Sequence, residues 1–100
     1  MKVIITGPAR LTLQKIYKYY RSKGAGMKGR EIRKQVLEIS KLLAENSQLG
    51  QQEELLKHLN EGHRYVLVKP SYKVIYKVSG QIIYITDIFD TRQDPEKMKG

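Results

Sequence analysis

Residues 64–98, "RYVLVKPSYKVIYKVSGQIIYITDIFDTRQDPEKM", decide the fold. Three segments in it, 64–69, 72–78 and 81–89, are rich in Val, Ile and Tyr, the residues that suit a pleated, half-buried surface. Pro70-Ser71 and Ser79-Gly80 separate them, and the second pair is a two-residue hairpin signal. In the middle segment Tyr72, Val74, Tyr76 and Val78 fall on one parity, and Lys73, Ile75 and Lys77 on the other. The period of two therefore predicts one face on the core and one toward solvent or a ligand. The segment 81–89 is apolar on both parities, so it is expected to be a central strand. It then runs into Asp90, Arg92, Gln93 and Asp94-Pro95. Asp94 is a good N-cap and Pro95 a good first helical residue, so a short terminal helix is expected there.

Upstream, "KVIIT" (2–6) reads as a short β-branched strand. Pro8 follows where a first helical turn tolerates it. Ala9, Leu13, Ile16, Tyr17 and Tyr20 then recur on one helical face, with Lys15, Lys18 and Arg21 off it. "KGAG" (23–26) stops this helix, since glycine takes the left-handed conformation cheaply. A second helix is expected to begin between Met27 and Glu31 and to end near Asn46, with Ile32, Val36, Ile39 and Leu43 as its apolar stripe, widened by Leu42. Two helices joined by a short glycine turn make an antiparallel hairpin. From Asn46 to Gly62 the chain is polar, and an irregular segment anchored by Leu49, Leu55, Leu56 and Leu59 is expected. The sum is one α+β domain over residues 1–100, in the order β-α-α-β-β-β, with a small antiparallel sheet and the helical hairpin on one face.

The chain of 100 residues carries a net charge of +9. Residues 1–50 hold 11 Lys/Arg against 3 Glu, whereas residues 51–100 hold 8 Lys/Arg against 7 Asp/Glu. Nearly all the excess thus lies in the first half, which favours a polyanion or an acidic protein partner over a neutral one. There is no cysteine, which excludes disulfides and thiolate chemistry and fits a reducing compartment. No leader pattern and no apolar run long enough to span a membrane is present, so a cytoplasmic protein without membrane contact is expected.

Classical catalytic and cofactor patterns are missing. His58 and His63 sit in a polar segment without metal-ligand spacing and read as surface or partly packed histidines. Gly24, Gly26 and Gly29 follow a helix and lack the phosphate-loop frame. No metal or cofactor is expected. Among the aromatics, Tyr17, Tyr20, Tyr72 and Tyr76 fall on core-facing positions, while Tyr65 and Tyr84 stay open as base-stacking candidates. Arg64, Lys73, Lys77 and Arg92 form a basic set on the sheet. Strand pairing can bring Arg64, Lys73 and Arg92 together to hold phosphate. Otherwise they form a solvated basic face, with Arg92 paired to Asp90 or Asp94.

The element order, together with "HRYVLVKPSYKVIYKV" (63–78) and "IYITDIFDTRQDPEKM" (83–98), resembles the RelE/ParE superfamily of bacterial toxins across essentially the whole chain. The resemblance implies the toxin half of a type II toxin–antitoxin system. It also implies growth inhibition of the kind linked to plasmid stabilization, and binding to a cognate antitoxin. RelE-like members cleave mRNA on the ribosome without metal, using basic residues on the sheet and a terminal tyrosine. Arg64, Lys73 and Arg92 match the basic part, but Met98 stands near the tyrosine position, and a thioether cannot transfer a proton. ParE-like members inhibit DNA gyrase and are not nucleases. The long hairpin "PARLTLQKIYKYY" (8–20) and "REIRKQVLEISKLL" (30–43) looks ParE-like, with Lys15, Lys18, Arg21 and Lys77 as expected target contacts. The alternatives are a RelE-like metal-independent endoribonuclease and a non-toxic basic nucleic-acid-binding module.

Overall fold

The computed structural model describes all of residues 1–100. The elements are β1 (Lys2–Ile5), α1 (Gly7–Ser22), α2 (Gly26–Glu45), β2 (Gln51–Gln52), β3 (Arg64–Val68), β4 (Tyr72–Ser79) and β5 (Ile82–Asp90). Two short 3₁₀ turns, Glu54–Leu59 and Pro95–Lys97, complete the chain. The five strands lie in the order β1-β5-β4-β3-β2.

The three β-rich segments do form consecutive antiparallel strands, β3 on β4 and β4 on β5. The sheet differs from the expected one at its margin, where β1 runs parallel to β5 and makes it mixed. The cause lies in β5. A strand apolar on both parities needs a neighbour on each edge as well as cover on each face. The "KVII" strand supplies the second neighbour.

Local sequence sets the helix ends. Thr6 caps α1, its Oγ1 accepting from the Ala9 N–H at 3.3 Å, with Pro8 inside the first turn. At the other end Gly24 takes φ +72°, and the Ala25 N–H bonds to the Tyr20 carbonyl at 2.8 Å. The helix α2 begins at Gly26, one residue before the expected window. Gly29 lets the two helices close up, since a Cβ there would lie 3.1 Å from the Tyr17 ring and 3.3 Å from its backbone.

Ile16 and Tyr20 of α1 and Ile32, Val36, Ile39 and Leu43 of α2 pack on Val74, Tyr76, Ile83, Ile85 and Ile88 of the sheet. Leu42 is exposed instead of widening that stripe, because one residue step on an α-helix turns it about 100° from Leu43. Val78 also lies outside the core, near the open end of the β4–β5 hairpin.

The opposite face of the sheet is not simply wet. Ile75, expected toward solvent, is fully buried with Leu56, Phe89 and Met98 in a second, smaller cluster. The covers are the 3₁₀ turn Glu54–Leu59 and the C-terminal segment. Leu56 alone anchors the turn, whereas Leu49, Leu55 and Leu59 are exposed. Residues 46–62 are thus more ordered than expected, held by β2 on β3. The expected terminal helix is a single 3₁₀ turn, capped by Asp94, whose carboxylate accepts from the Glu96 N–H at 3.0 Å.

A β-bulge explains how the C-terminal segment is held. Ile75 pairs with Asp87 and Tyr76 with Ile85, so Thr86 is the extra residue. Thr86 Oγ1 donates to the Lys99 carbonyl at 3.2 Å, and Asp87 Oδ2 accepts from the Lys99 N–H at 2.9 Å. Two neighbouring side chains that a regular strand would send to opposite faces here grip one backbone unit.

Candidate interaction surface

Charge and pairing divide the molecule. Four ion pairs exist: Lys57–Glu54, Lys73–Glu53, Lys77–Glu61 and Arg92–Asp90. All of them lie in the second half of the chain. Residues 7–45, the hairpin, carry ten Lys and Arg against three Glu, and none of the ten pairs with a carboxylate. Uncompensated like charge on one face destabilises the folded chain through self-repulsion.

The helical twist splits the expected Lys15, Lys18 and Arg21 row. Lys18 and Arg21 border a groove of about 250 Å³ between the two helices, joined by Arg10 and Arg33 and floored by Leu13, Tyr17 and Leu37. Lys15 lies on the other flank of α1. It lines a cleft of about 510 Å³ with Tyr19, Tyr72, Asp90 and Arg92. Steps of three and six residues rotate 300° and 600° on an α-helix, which separates Lys15 from Arg21 by about 120°.

The basic set on the sheet does not converge. Arg64 pairs across from Tyr76, on the helix side, and its Nη1 donates to the Gly50 carbonyl at 2.7 Å. Lys73 sits across from Leu67 and Phe89, on the other face. Its ammonium is 2.8 Å from Glu53 Oε2 and 4.2 Å from the centre of the Tyr65 ring. Lys77 is on that face too, 2.6 Å from Glu61, so the Lys73 and Lys77 row is engaged and not free in solvent. Arg92 is exposed, and its Nε and Nη2 donate to both oxygens of Asp90 at 3.0 and 2.9 Å. Those hydrogen bonds hold the Asp90 carboxyl below the usual carboxylate range. Of the two readings for Arg92, pairing with Asp90 is the geometry present.

Met98, expected near the position of the RelE-like tyrosine, is only 7% exposed and packs in the second cluster. His58 is exposed, but His63 is 2% exposed, beneath Gly100. Neither of its ring nitrogens makes a well-formed hydrogen bond. Burial pushes its imidazole below the usual histidine range, opposed by the Glu61 carboxylate. Burial likewise raises the Asp87 carboxyl, against the Lys99 backbone bond.

Two features had weak sequence signals. Tyr19 is 53% exposed, off the apolar stripe, and only its i+4 spacing from Lys15 and to Lys23 marks it. Glu53, a buried carboxylate in a polar stretch, had no signal at all.

No curated protein sequence matches this chain. A solved structure of the chromosomal ParDE TA system from P. aeruginosa is similar in fold, with a TM-score of 0.72 and 22% sequence identity. The likeness covers 90% of this chain and 95% of that one. The family described as ParE toxin of type II toxin-antitoxin system, parDE, matches residues 3–95. That match spans both the basic hairpin and the sheet beneath it, and the chain therefore belongs to the ParE toxin family of type II toxin–antitoxin systems.

Proposed function

We propose that this toxin inhibits growth through DNA gyrase and is neutralised by a cognate antitoxin. The observation that carries the first part is the dispersal of Arg64, Lys73 and Arg92. Cleaving RNA needs a phosphate held between cations and a titratable group within hydrogen-bond reach. Here Arg64 and Lys73 lie on opposite faces of the sheet, and Arg92 is bound to Asp90. Met98 brings no proton-transfer group to the C-terminal end. This favours a target-binding inhibitor over a RelE-like nuclease. Lys15, Lys18 and Arg21 are the proposed target contacts on the hairpin. Lys77 would have to leave Glu61 to join them.

The groove between α1 and α2 supports the second part. Its floor is apolar and its rim is Arg10, Lys18, Arg21 and Arg33, with no carboxylate. An antitoxin segment with acidic residues flanking an apolar anchor complements it in both respects.

The test is expression of the chain in a bacterial host, with chromosomal breaks and mRNA cuts measured together. DNA breaks with intact mRNA are expected, and growth returns when a cognate antitoxin is co-expressed. Defined cuts in translated mRNA without DNA breaks would overturn the gyrase reading. The double variant Arg33→Glu/Leu37→Glu should stay toxic but escape rescue. Full rescue of that variant would remove the groove as the antitoxin site.

A further inference from the structure

We propose that the outer flank of α1, from Lys15 to Lys23, binds a short single-stranded nucleic acid. Tyr19 is the stacking platform, and Lys15 and Lys23 are the phosphate contacts. The proposal stands apart from the gyrase reading and does not require it.

Tyr19 is an exposed aromatic whose ring contacts the core along one edge. It meets Tyr20 edge-on, with centroids 5.2 Å apart and planes at 82°. Tyr20 is itself buried, and its hydroxyl lies 3.4 Å from that of Tyr72. That edge contact with a buried tyrosine restricts the Tyr19 ring, which lowers the ordering cost of binding.

Cations flank the ring. Lys15 and Lys23 stand one helical turn to either side of it. The Lys23 ammonium is 5.9 Å from the ring centre. Arg92 enters from the exit of β5 into the same cleft as Lys15 and Tyr19. Its Nε and Nη2 are occupied by Asp90, so this arginine balances the carboxylate and is not counted among the phosphate contacts. The lone carboxylate of the cleft is thereby neutralised where it stands.

A rigid aromatic face set among cations suits unpaired bases, which stack on any π-face while their phosphates meet the charges. A duplex hides its base faces, and an acidic peptide uses the cations but not the ring. The groove on the opposite flank of α1, with its aliphatic floor, fits a peptide better than this flank does.

Fluorescence anisotropy of the purified full-length chain with labelled oligothymidylate and oligouridylate tests the proposal, and comparing the two separates DNA from RNA as the source. Tyr19→Ala and Tyr19→Leu should each weaken binding about tenfold, the effect expected for one stacked base. Tyr19→Phe should preserve it. Lys15→Gln and Lys23→Gln should each reduce the slope of log K against log salt by about 0.7. Lys41→Gln, far from the ring on α2, should leave the Tyr19 dependence intact. No binding by the parent chain overturns the proposal. So does equal binding by folded Tyr19→Ala, or tighter binding of polyglutamate or duplex than of the single strand.

Discussion

Replacing Lys73 with methionine separates a structural lysine from a functional one. Its ammonium lies 2.8 Å from Glu53, a carboxylate only 2% exposed. Methionine keeps the apolar stem and removes the charge, so the Glu53 carboxylate is left buried without its cation. Breaking a buried pair from one side costs about 3–5 kcal/mol. Two details point to the lower end. The Lys73 side chain keeps partial contact with water, and Glu53 retains a second donor, the Leu55 N–H at 3.1 Å. The loss of the cation over the Tyr65 ring adds about 0.5–1 kcal/mol. We expect a loss of about 3 kcal/mol in urea unfolding, or a fall in Tm of about 15 °C for a domain of this size.

The companion variant, Lys73→Met with Glu53→Gln, removes the stranded charge. Glutamine still offers an oxygen to the Leu55 N–H, so most of the lost stability should return. If Lys73 only anchors the 3₁₀ turn Glu54–Leu59, this double variant is both stable and toxic. A single variant that loses less than about 1 kcal/mol would refute the energetic argument. A double variant that is folded but harmless would refute the structural assignment and return Lys73 to the functional set.

Two further outcomes are expected. Tyr76→Phe should cost about 2 kcal/mol in denaturant unfolding, because the hydroxyl both donates to the Ser47 carbonyl at 2.9 Å and accepts from the buried Gly50 N–H at 2.8 Å; a cost near zero would mean that Gly50 finds another partner. His63 has a depressed folded pKa, so the stability it contributes is present above its ordinary value of 6.5 and is lost as pH falls through the lower folded value; the amide protection factors of residues 98–100, corrected for the intrinsic pH dependence of exchange, should fall below pH 6.5, and His63→Leu should abolish that fall. Asp87 works in the opposite sense, its raised pKa taking stability away as pH climbs above 3.8, so an unchanged acid profile in the leucine variant would assign the effect elsewhere.

Periodicity made most of the fold legible. The parity of Tyr72, Val74 and Tyr76, and the helical spacing of Ile32, Val36, Ile39 and Leu43, each name one buried face. Alternation says which residues share a face, but it cannot say whether the second face is also covered. The second cluster needs Leu56 and Met98, which come from segments with no period of their own. The bulge at Thr86 breaks parity within a strand apolar on both sides, where no alternation existed to reveal the break. The parallel placement of β1 is likewise a fact about which edge remained free.

The location of charge was legible, and its pairing was not. Counting by halves already separates the basic hairpin from a nearly balanced sheet. Which lysines are occupied depends on contacts between residues far apart in the chain: Lys73 with Glu53, twenty positions away, and Lys77 with Glu61, sixteen away. Those partners lie in the polar stretch 46–62, which offered no frame for placing them. The result changes the expected role of β4. The lysines of β4 looked like an open row but stabilise the cover over the second face. The hairpin, expected to offer target contacts at Lys15, Lys18 and Arg21, carries ten cations that no carboxylate answers. A protein gains nothing in stability from ten such charges side by side. Their number on so short a hairpin is therefore better explained by what binds the hairpin than by what the hairpin holds up.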